Sequence, residues 1–455
     1  MKVLLVSLFH PELVRGGAQQ VCLELFEGLK AETGVEPTML SAIDPSFSSL
    51  YKSGARITGF DGRPGEHLFL SRDYDYWWHK NGDLSVREAF AEFLDLVQPD
   101  VIHFHHFLLL GLDLISLARK TLPNVRIVLT LHEFLTLCVA DGQMVRTTDR
   151  SLCSRPSPVR CHQCRPDRSP EEFFMRELWV KQHLSHVDVF TTPSQFMIER
   201  FVDWGLERTR IVHVTNGQRD YAKGFREPSA PARRNRFGFF GQLVDNKGVQ
   251  VLLDAVEQLR QEGFEDFTVE INGDNLRYAT EDARAAIAAY QESQALLPPM
   301  EQRVRFNGSY HVDELAQRMA RVDWVVVPSV WWEVFGLVIS EAWMFGRPVI
   351  VSAVGGPGER VKHEVDGLQF ATGDVRALAQ AIRRAASEDG LWDRLSAGIT
   401  APASREVMTR HFLEVYRGVG GSEAPGATPV VAGRSSRMLA GRDAKVMAST
   451  DAGKL

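Results

Sequence analysis

Glu333 and Glu341 flank a glycine in the run Pro328-Ser329-Val330-Trp331-Trp332-Glu333-Val334-Phe335-Gly336-Leu337-Val338-Ile339-Ser340-Glu341. The apolar stretch Trp324–Val327 before it reads as a strand, and Gly336 onward reads as a helix. The amides of Phe335, Gly336, Leu337 and Val338 then stand at a helix start, where unpaired N–H groups and the helix dipole favour an anion. One carboxylate in such a place is usually a cap or a favourable dipole contact. Two around a strand-end turn are suited to gripping sugar hydroxyls. A second strand-end segment, Phe239-Phe240-Gly241-Gln242-Leu243-Val244-Asp245-Asn246-Lys247-Gly248, offers Lys247 and Gln242. Lys247 there either neutralises a phosphate or is simply solvated, and Gln242 donates a hydrogen bond without charge. A third segment, running from His10 to Gly16-Gly17, opens a helix, and its glycines either admit a ligand closely or only turn the chain. The same two readings apply to Val354-Gly355-Gly356-Pro357-Gly358.

Three further clusters carry chemistry. His103, His105 and His106 close a strand, and alternation puts the first two on one face. They line a cleft, pack, or hold a metal suited to imidazole. Cys138, Cys153, Cys161 and Cys164, with the last two spaced CxxC, lie in a long Pro- and Arg-rich segment. Structural zinc, free thiols and redox pairing all fit that spacing. The aromatic run Tyr74-Asp75-Tyr76-Trp77-Trp78-His79-Lys80 suits a sugar face, a membrane interface or plain packing.

The elements that must position these residues alternate short apolar strands with helix-length amphipathic segments, the pattern of parallel sheets covered by helices. In the first half, strands are expected at Val3–Phe9, Ala55–Phe60, Val101–Phe104, Val125–Leu131, Val187–Thr192 and Ile211–Val214. Helices are expected at Ala18–Lys30 and Val86–Val97. After Asn216-Gly217 and a polar stretch, the alternation restarts at Phe237–Phe240, Phe267–Asn272, Val304–Phe306, Trp324–Val327 and Val349–Val351, with a helix at Val249–Glu262. Two successive Rossmann-like units account for this, and 455 residues suffice for two large cores. Residues 421–455 contain no Phe, Trp, Tyr or Ile and read as a disordered tail. A net charge of −6 argues against a general nucleic-acid binder. No apolar run is long enough to span a bilayer, the first residues lack a signal-peptide pattern, and an odd five cysteines argue against a disulfide framework. A cytoplasmic protein is expected, with contact at the inner membrane face left open.

Glu333-x7-Glu341, Gly241 to Lys247-Gly248, Gly16-Gly17 and Asn216-Gly217 together resemble the retaining glycosyltransferases of family 4, over roughly residues 1–418. Thr130-Leu131-His132-Glu133 also matches that family's strand-end histidine. The resemblance implies an α/β GT-B fold, two Rossmann-like domains facing a cleft. Its divisions would be an acceptor-side domain at 1–217, a linker at 218–236, a nucleotide-sugar domain at 237–404, a helix at 405–418 crossing back, and the tail at 419–455. It further implies transfer of a hexose from a UDP- or GDP-sugar to a hydroxyl of a glycan, lipid-linked sugar or metabolite, with retention and no catalytic metal. By that similarity Lys247 and the 335–338 amides hold the diphosphate and Glu341 accepts from the ribose. Glu333 grips the sugar, His132 orients it, and Gly16-Gly17 makes room for the phosphates or the acceptor. The chain departs from the family at Gln242, where many members carry Arg, so one positive charge is missing unless Arg15 or Arg360 compensates. A nucleotide-sugar epimerase and a non-catalytic scaffold of the same fold are the alternatives.

Overall fold

The first strand, Lys2–Leu8, carries four consecutive fully buried residues, Val3 to Val6. An uninterrupted apolar strand of this kind must be covered on both faces, as in a parallel sheet between helix layers. In this computed structural model, which describes residues 1–50, 55–226, 233–299 and 301–418, it lies inside an eight-stranded sheet. On one side come Val101–Phe104, Arg126–Thr130, Val189–Thr192 and Ile211–His213. On the other come Glu36–Ile43, Glu66–Leu70 and Ile57–Gly59. All neighbours pair in parallel except Ile57–Gly59, which runs antiparallel at the edge. The chain winds first to one side of Lys2–Leu8 and then to the other, so the sheet has a switch point between it and Val101–Phe104.

A second, all-parallel sheet orders its six strands as Val304–Phe306, Thr268–Asn272, Arg236–Phe240, Trp324–Val327, Val349–Ser352 and Gly367–Phe370. Its switch point falls between Arg236–Phe240 and Trp324–Val327. Ligands of open α/β sheets bind outside the carboxyl ends of strands at such points. The segments that leave these two strands carry Gln242 and Lys247, and Glu333 and Glu341.

The two sheets have separate apolar cores, and the last described helix, Arg405–Arg417, joins that of the first. Met408, Phe412 and Tyr416 pack with Val3, Leu5 and Leu25. Helix Arg405–Arg417 is capped by Ser404, whose bridge to Gln218 ties the two ends of the second unit together. Gly217 allows that closure: a Cβ there would stand 2.1 Å from the Ser404 carbonyl oxygen.

Three strands of the two large sheets escaped the sequence reading, Glu36–Ile43, Glu66–Leu70 and Gly367–Phe370, as did the short antiparallel pair Tyr74–Asp75 and Lys80–Asn81. The first three contain Pro37, Glu66 and Gln369, and little β-branched sequence, and their neighbours in the sheets stabilise them instead. The cysteine-rich segment is not all loop, because Ser157 and Pro158 start a short helix, Pro158–Cys164. Residues 419–455, expected to form a disordered tail, lie outside the described residues. Among those residues, no helix is long and apolar enough to cross a membrane.

Candidate active site at the strand ends of both sheets

A cavity of about 570 Å³ opens where the carboxyl ends of the two sheets meet, and every residue singled out for donor binding or catalysis lines it. Gly16 and Gly17 enter from the start of helix Gly17–Lys30, and His132 from the end of strand Arg126–Thr130. Gln242 and Lys247 follow Arg236–Phe240. Glu333, Phe335, Gly336, Leu337, Val338 and Glu341 follow Trp324–Val327.

The turn before helix Leu337–Met344 depends on Gly336, which sits at φ 75°, the left-handed region that glycine occupies without strain. No side chain caps this helix, so its first amides face the cavity without a side-chain acceptor. Arg360 braces the turn from behind. Its Nη1 donates to the carbonyls of Phe335 (3.0 Å) and Gly336 (2.9 Å), and its guanidinium lies 3.6 Å over the Phe335 ring. Burial lowers the Arg360 pKa to about 9. Arg360 therefore supports this turn and is not among the cavity-lining residues. Arg15 is, and it donates to the Tyr310 carbonyl at 3.3 Å, reaching from the first sheet's side to the second's. Of the two arginines named beside Gln242, Arg15 is therefore the one that lines the cavity.

Lys247 and Glu333 were assigned separate tasks by sequence, yet they are bonded to each other. Lys247 Nζ donates to Glu333 Oε2 at 2.6 Å, and Trp331 Nε1 (3.0 Å) and Ser329 Oγ (3.2 Å) donate to the same oxygen. Lys247 also lies 5.3 Å from the Trp331 ring centroid, a cation–π contact. Among the described residues, Glu333 Oε1 carries no such protein bond. Glu341 Oε1 accepts from Gln218 Nε2 at 3.1 Å, and burial raises its pKa, an effect the Gln218 bond offsets in part. Gln218 was not singled out by sequence; the neighbouring Asn216-Gly217 junction was the available signal.

His132 is the histidine that reaches the cavity. Its Nε2 pairs with His105 Nδ1 at 3.0 Å, so one nitrogen of the two must donate and the other accept. Burial, followed by the neighbouring histidines, holds the pKa of both well below the usual range, so they are neutral at pH 7. His103 is locked away from the cavity between Tyr416 OH (2.7 Å) and Thr130 Oγ1 (2.6 Å). His106 is buried with Glu133 Oε1 3.9 Å away. Of the readings left open for this trio, packing holds. Among the described residues, no three His, Cys, Asp or Glu side chains stand in an arrangement that would hold a metal ion as placed.

The remaining motifs fall outside the main cavity. Gly355 and Gly356 turn the chain against a neighbour: Gly356 N donates to the Glu333 carbonyl at 2.7 Å, and a Cβ on Gly355 would meet that oxygen at 2.3 Å. The aromatic run packs, with Trp77 against Phe173 and Trp78 against Trp179, leaving Tyr76 exposed. Cys138, Cys153, Cys161 and Cys164 are free thiols around a separate small cavity.

Comparison with known proteins is consistent with this geometry. The model described as Glycosyltransferase Family 4 matches residues 15–218, and the one described as Glycosyl transferases group 1 matches residues 234–388. A putative glycosyltransferase of Bacillus subtilis is 25% identical over 393 residues, 83% of this chain and 84% of that one. A glycogen synthase of Mycobacterium tuberculosis is 28% identical over 431 residues, 90% of this chain and 91% of its own. Among solved structures, Anabaena HepE in complex with UDP superposes with a TM-score of 0.63 at 18% identity, covering 92% of this chain and 100% of that one. The same protein has also been solved with UDP-glucose, at a TM-score of 0.59. At that identity the likeness is one of fold, and the fold is GT-B.

Proposed function

The chain belongs to the family 4 glycosyltransferases, and from that premise we propose that it transfers a hexose, with retention, from a UDP- or GDP-sugar to a hydroxyl of a glycan, lipid-linked sugar or metabolite. The observation that carries this reading is the meeting of Lys247, Glu333, Glu341 and an uncapped helix start in one cavity at the strand ends. UDP-glucose in a protein of the same fold supports a uridine donor in particular. The proposed division is an acceptor-side domain at 1–217, a linker at 218–236, a donor domain at 237–404 and a returning helix at 405–418.

The diphosphate binds against the 335–338 amides, Lys247 and Arg15, and the ribose hydroxyls donate to Glu341. Glu333 offers Oε1 to the sugar while Oε2 stays with Trp331 and Ser329. His132, neutral and fixed by His105, hydrogen-bonds the sugar and turns its anomeric carbon toward the acceptor. On that carbon the bond to the phosphate oxygen breaks and a bond to the acceptor oxygen forms on the same face. The acceptor proton passes to the leaving phosphate, and the charge that grows there is met by groups already in place, the usual largest contribution to catalysis.

The test is thermal unfolding against UDP-, GDP-, ADP- and dTDP-sugars, with Glu341→Ala as control. A ligand at 100 times its dissociation constant adds roughly 2.7 kcal/mol of stability. A shift with one nucleotide, lost in Glu341→Ala, supports the reading and names the base. No shift with any donor would move it to a non-catalytic scaffold. Release of an epimerised donor without acceptor would move it to an epimerase.

A further inference from the structure

Four of the five cysteines in the chain, separated by up to 26 positions, converge on one cavity of about 30 Å³, the room of roughly one water molecule. Local structure brings them there. Cys138 follows a turn closed by its own N–H on the Phe134 carbonyl (2.7 Å). The bridge between Val145 and Leu152 returns the chain, so that Cys153 N donates to the Met144 carbonyl at 2.7 Å. Cys161 and Cys164 sit three apart on helix Pro158–Cys164, the spacing that puts two side chains on one face. All four are unpaired thiols.

We infer that these four cysteines form a structural zinc site, independent of the sugar-transfer cavity. Thiolates select soft divalent cations, and four of them match tetrahedral zinc. Their sulfurs are not drawn in to coordination distance as placed. Cys138 Sγ and Cys153 Sγ make only weak contacts, to the Ala140 carbonyl (3.8 Å) and the Arg155 carbonyl (3.4 Å). One χ1 step moves a cysteine sulfur by ~3 Å.

The surrounding charge fits. A divalent cation with four thiolates carries two net negative charges. Arg146 and Arg160 line the same cavity, and the buried Arg176 lies within electrostatic reach of Cys138 and Cys161. Arg176 donates to three carbonyls, those of Trp77, Leu135 and Thr136, and Glu133 also lies within its electrostatic reach.

The site also has something to hold. The carbonyl of Cys153 accepts from Trp332 Nε1 at 2.9 Å, and that of Ser154 accepts from Arg200 at 2.8 Å. Arg200 in turn lies 4.1 Å over the Trp332 ring. Trp332 precedes Glu333 in the chain. A cation at the thiols therefore fixes the segment that steadies the loop presenting Glu333.

The test is elemental analysis of the full chain, purified without a polyhistidine tag, with thiols counted by titration. About one zinc per chain is expected, reduced at least tenfold in Cys161→Ser and Cys164→Ser and retained in Cys22→Ser. Cys22 is buried in helix Gly17–Lys30, away from the cluster. Should the serine variants fail to fold, cobalt exchange into the unaltered chain decides instead. A tetrahedral four-thiolate visible spectrum, abolished by a mercurial, supports the site. Five titratable thiols with no zinc, fewer than five thiols because of disulfides, or zinc retained in Cys161→Ser would each overturn it. None of these readouts depends on sugar transfer.

Discussion

Lys247 and Glu333 neutralise each other before any donor arrives, so each must also be considered as the other's partner. Lys247→Ala removes the proposed phosphate contact and leaves Glu333 without its cation. Loss of one charge-assisted hydrogen bond costs ~1.5–3 kcal/mol, so affinity for the nucleoside diphosphate should fall roughly tenfold or more by calorimetry. An unchanged dissociation constant would remove Lys247 from the diphosphate. Arg15 and Gln242 make a linked pair of expectations. Arg15→Ala should weaken nucleotide binding more than Gln242→Ala does, and Gln242→Arg should tighten it and partly rescue Arg15→Ala. If Gln242→Arg has no effect in either background, the second cation acts elsewhere. At His132 the informative change is at its partner. His105→Phe leaves His132 Nε2 without the 3.0 Å bond, and should lower kcat more than it raises the donor KM.

At the scale of elements, the returning helix Arg405–Arg417 depends on close backbone approach. Gly217→Ala would drive a Cβ to 2.1 Å from the Ser404 carbonyl oxygen, which is backbone and cannot rotate away. It should destabilise the chain by more than ~1 kcal/mol and lower Tm by several degrees. Gly28→Ala meets chiefly the Thr409 hydroxyl, a side-chain atom, and should cost less. The reverse ranking in a melt would mean that the Gly217–Ser404 contact does not limit the helix's return. Glu24 is the polar half of the same joint. It is buried, pairs with Arg405, and accepts from Arg219 N (3.1 Å) and Tyr221 OH (3.3 Å), so helix Gly17–Lys30, residues 219–221 and the returning helix share one carboxylate. Sequence reading placed the helix boundaries well because Ser404 and Gly418 mark them. It passed over Glu24, since an acidic residue in an amphipathic helix looks solvated until its partners fold onto it.

The molecule as a whole buries neutral histidines. Burial lowers His79 to about 3 and His106 and His183 to about 4, and holds His103, His105 and His132 well below the usual 6.5. Between about pH 4 and 6.5 the unfolded chain therefore binds protons that the folded chain does not. Stability rises with pH wherever the unfolded state holds more protons, so it should be lost as pH falls from 6.5 toward 4. Melts between pH 7.5 and 5 should show Tm falling through the lower half of that interval. A flat profile would mean that these histidines are protonated in the fold.

What the sequence by itself determined was local: buried apolar runs as strands, amphipathic segments as helices, and reactive residue types immediately after strand ends. Those features rest on short-range sterics and on the period of side-chain burial, which neighbouring residues set together. Only the tertiary structure decided which of these residues meet. Lys247 reaches Glu333 because Arg236–Phe240 and Trp324–Val327 are adjacent strands, and His105 meets His132 because Val101–Phe104 pairs with Arg126–Thr130. Gln218 meets Glu341 at the junction where its backbone also bridges to Ser404, the cap of helix Arg405–Arg417. Strand order is fixed by the joint burial of both faces of each sheet, a balance over the whole chain that no single segment carries.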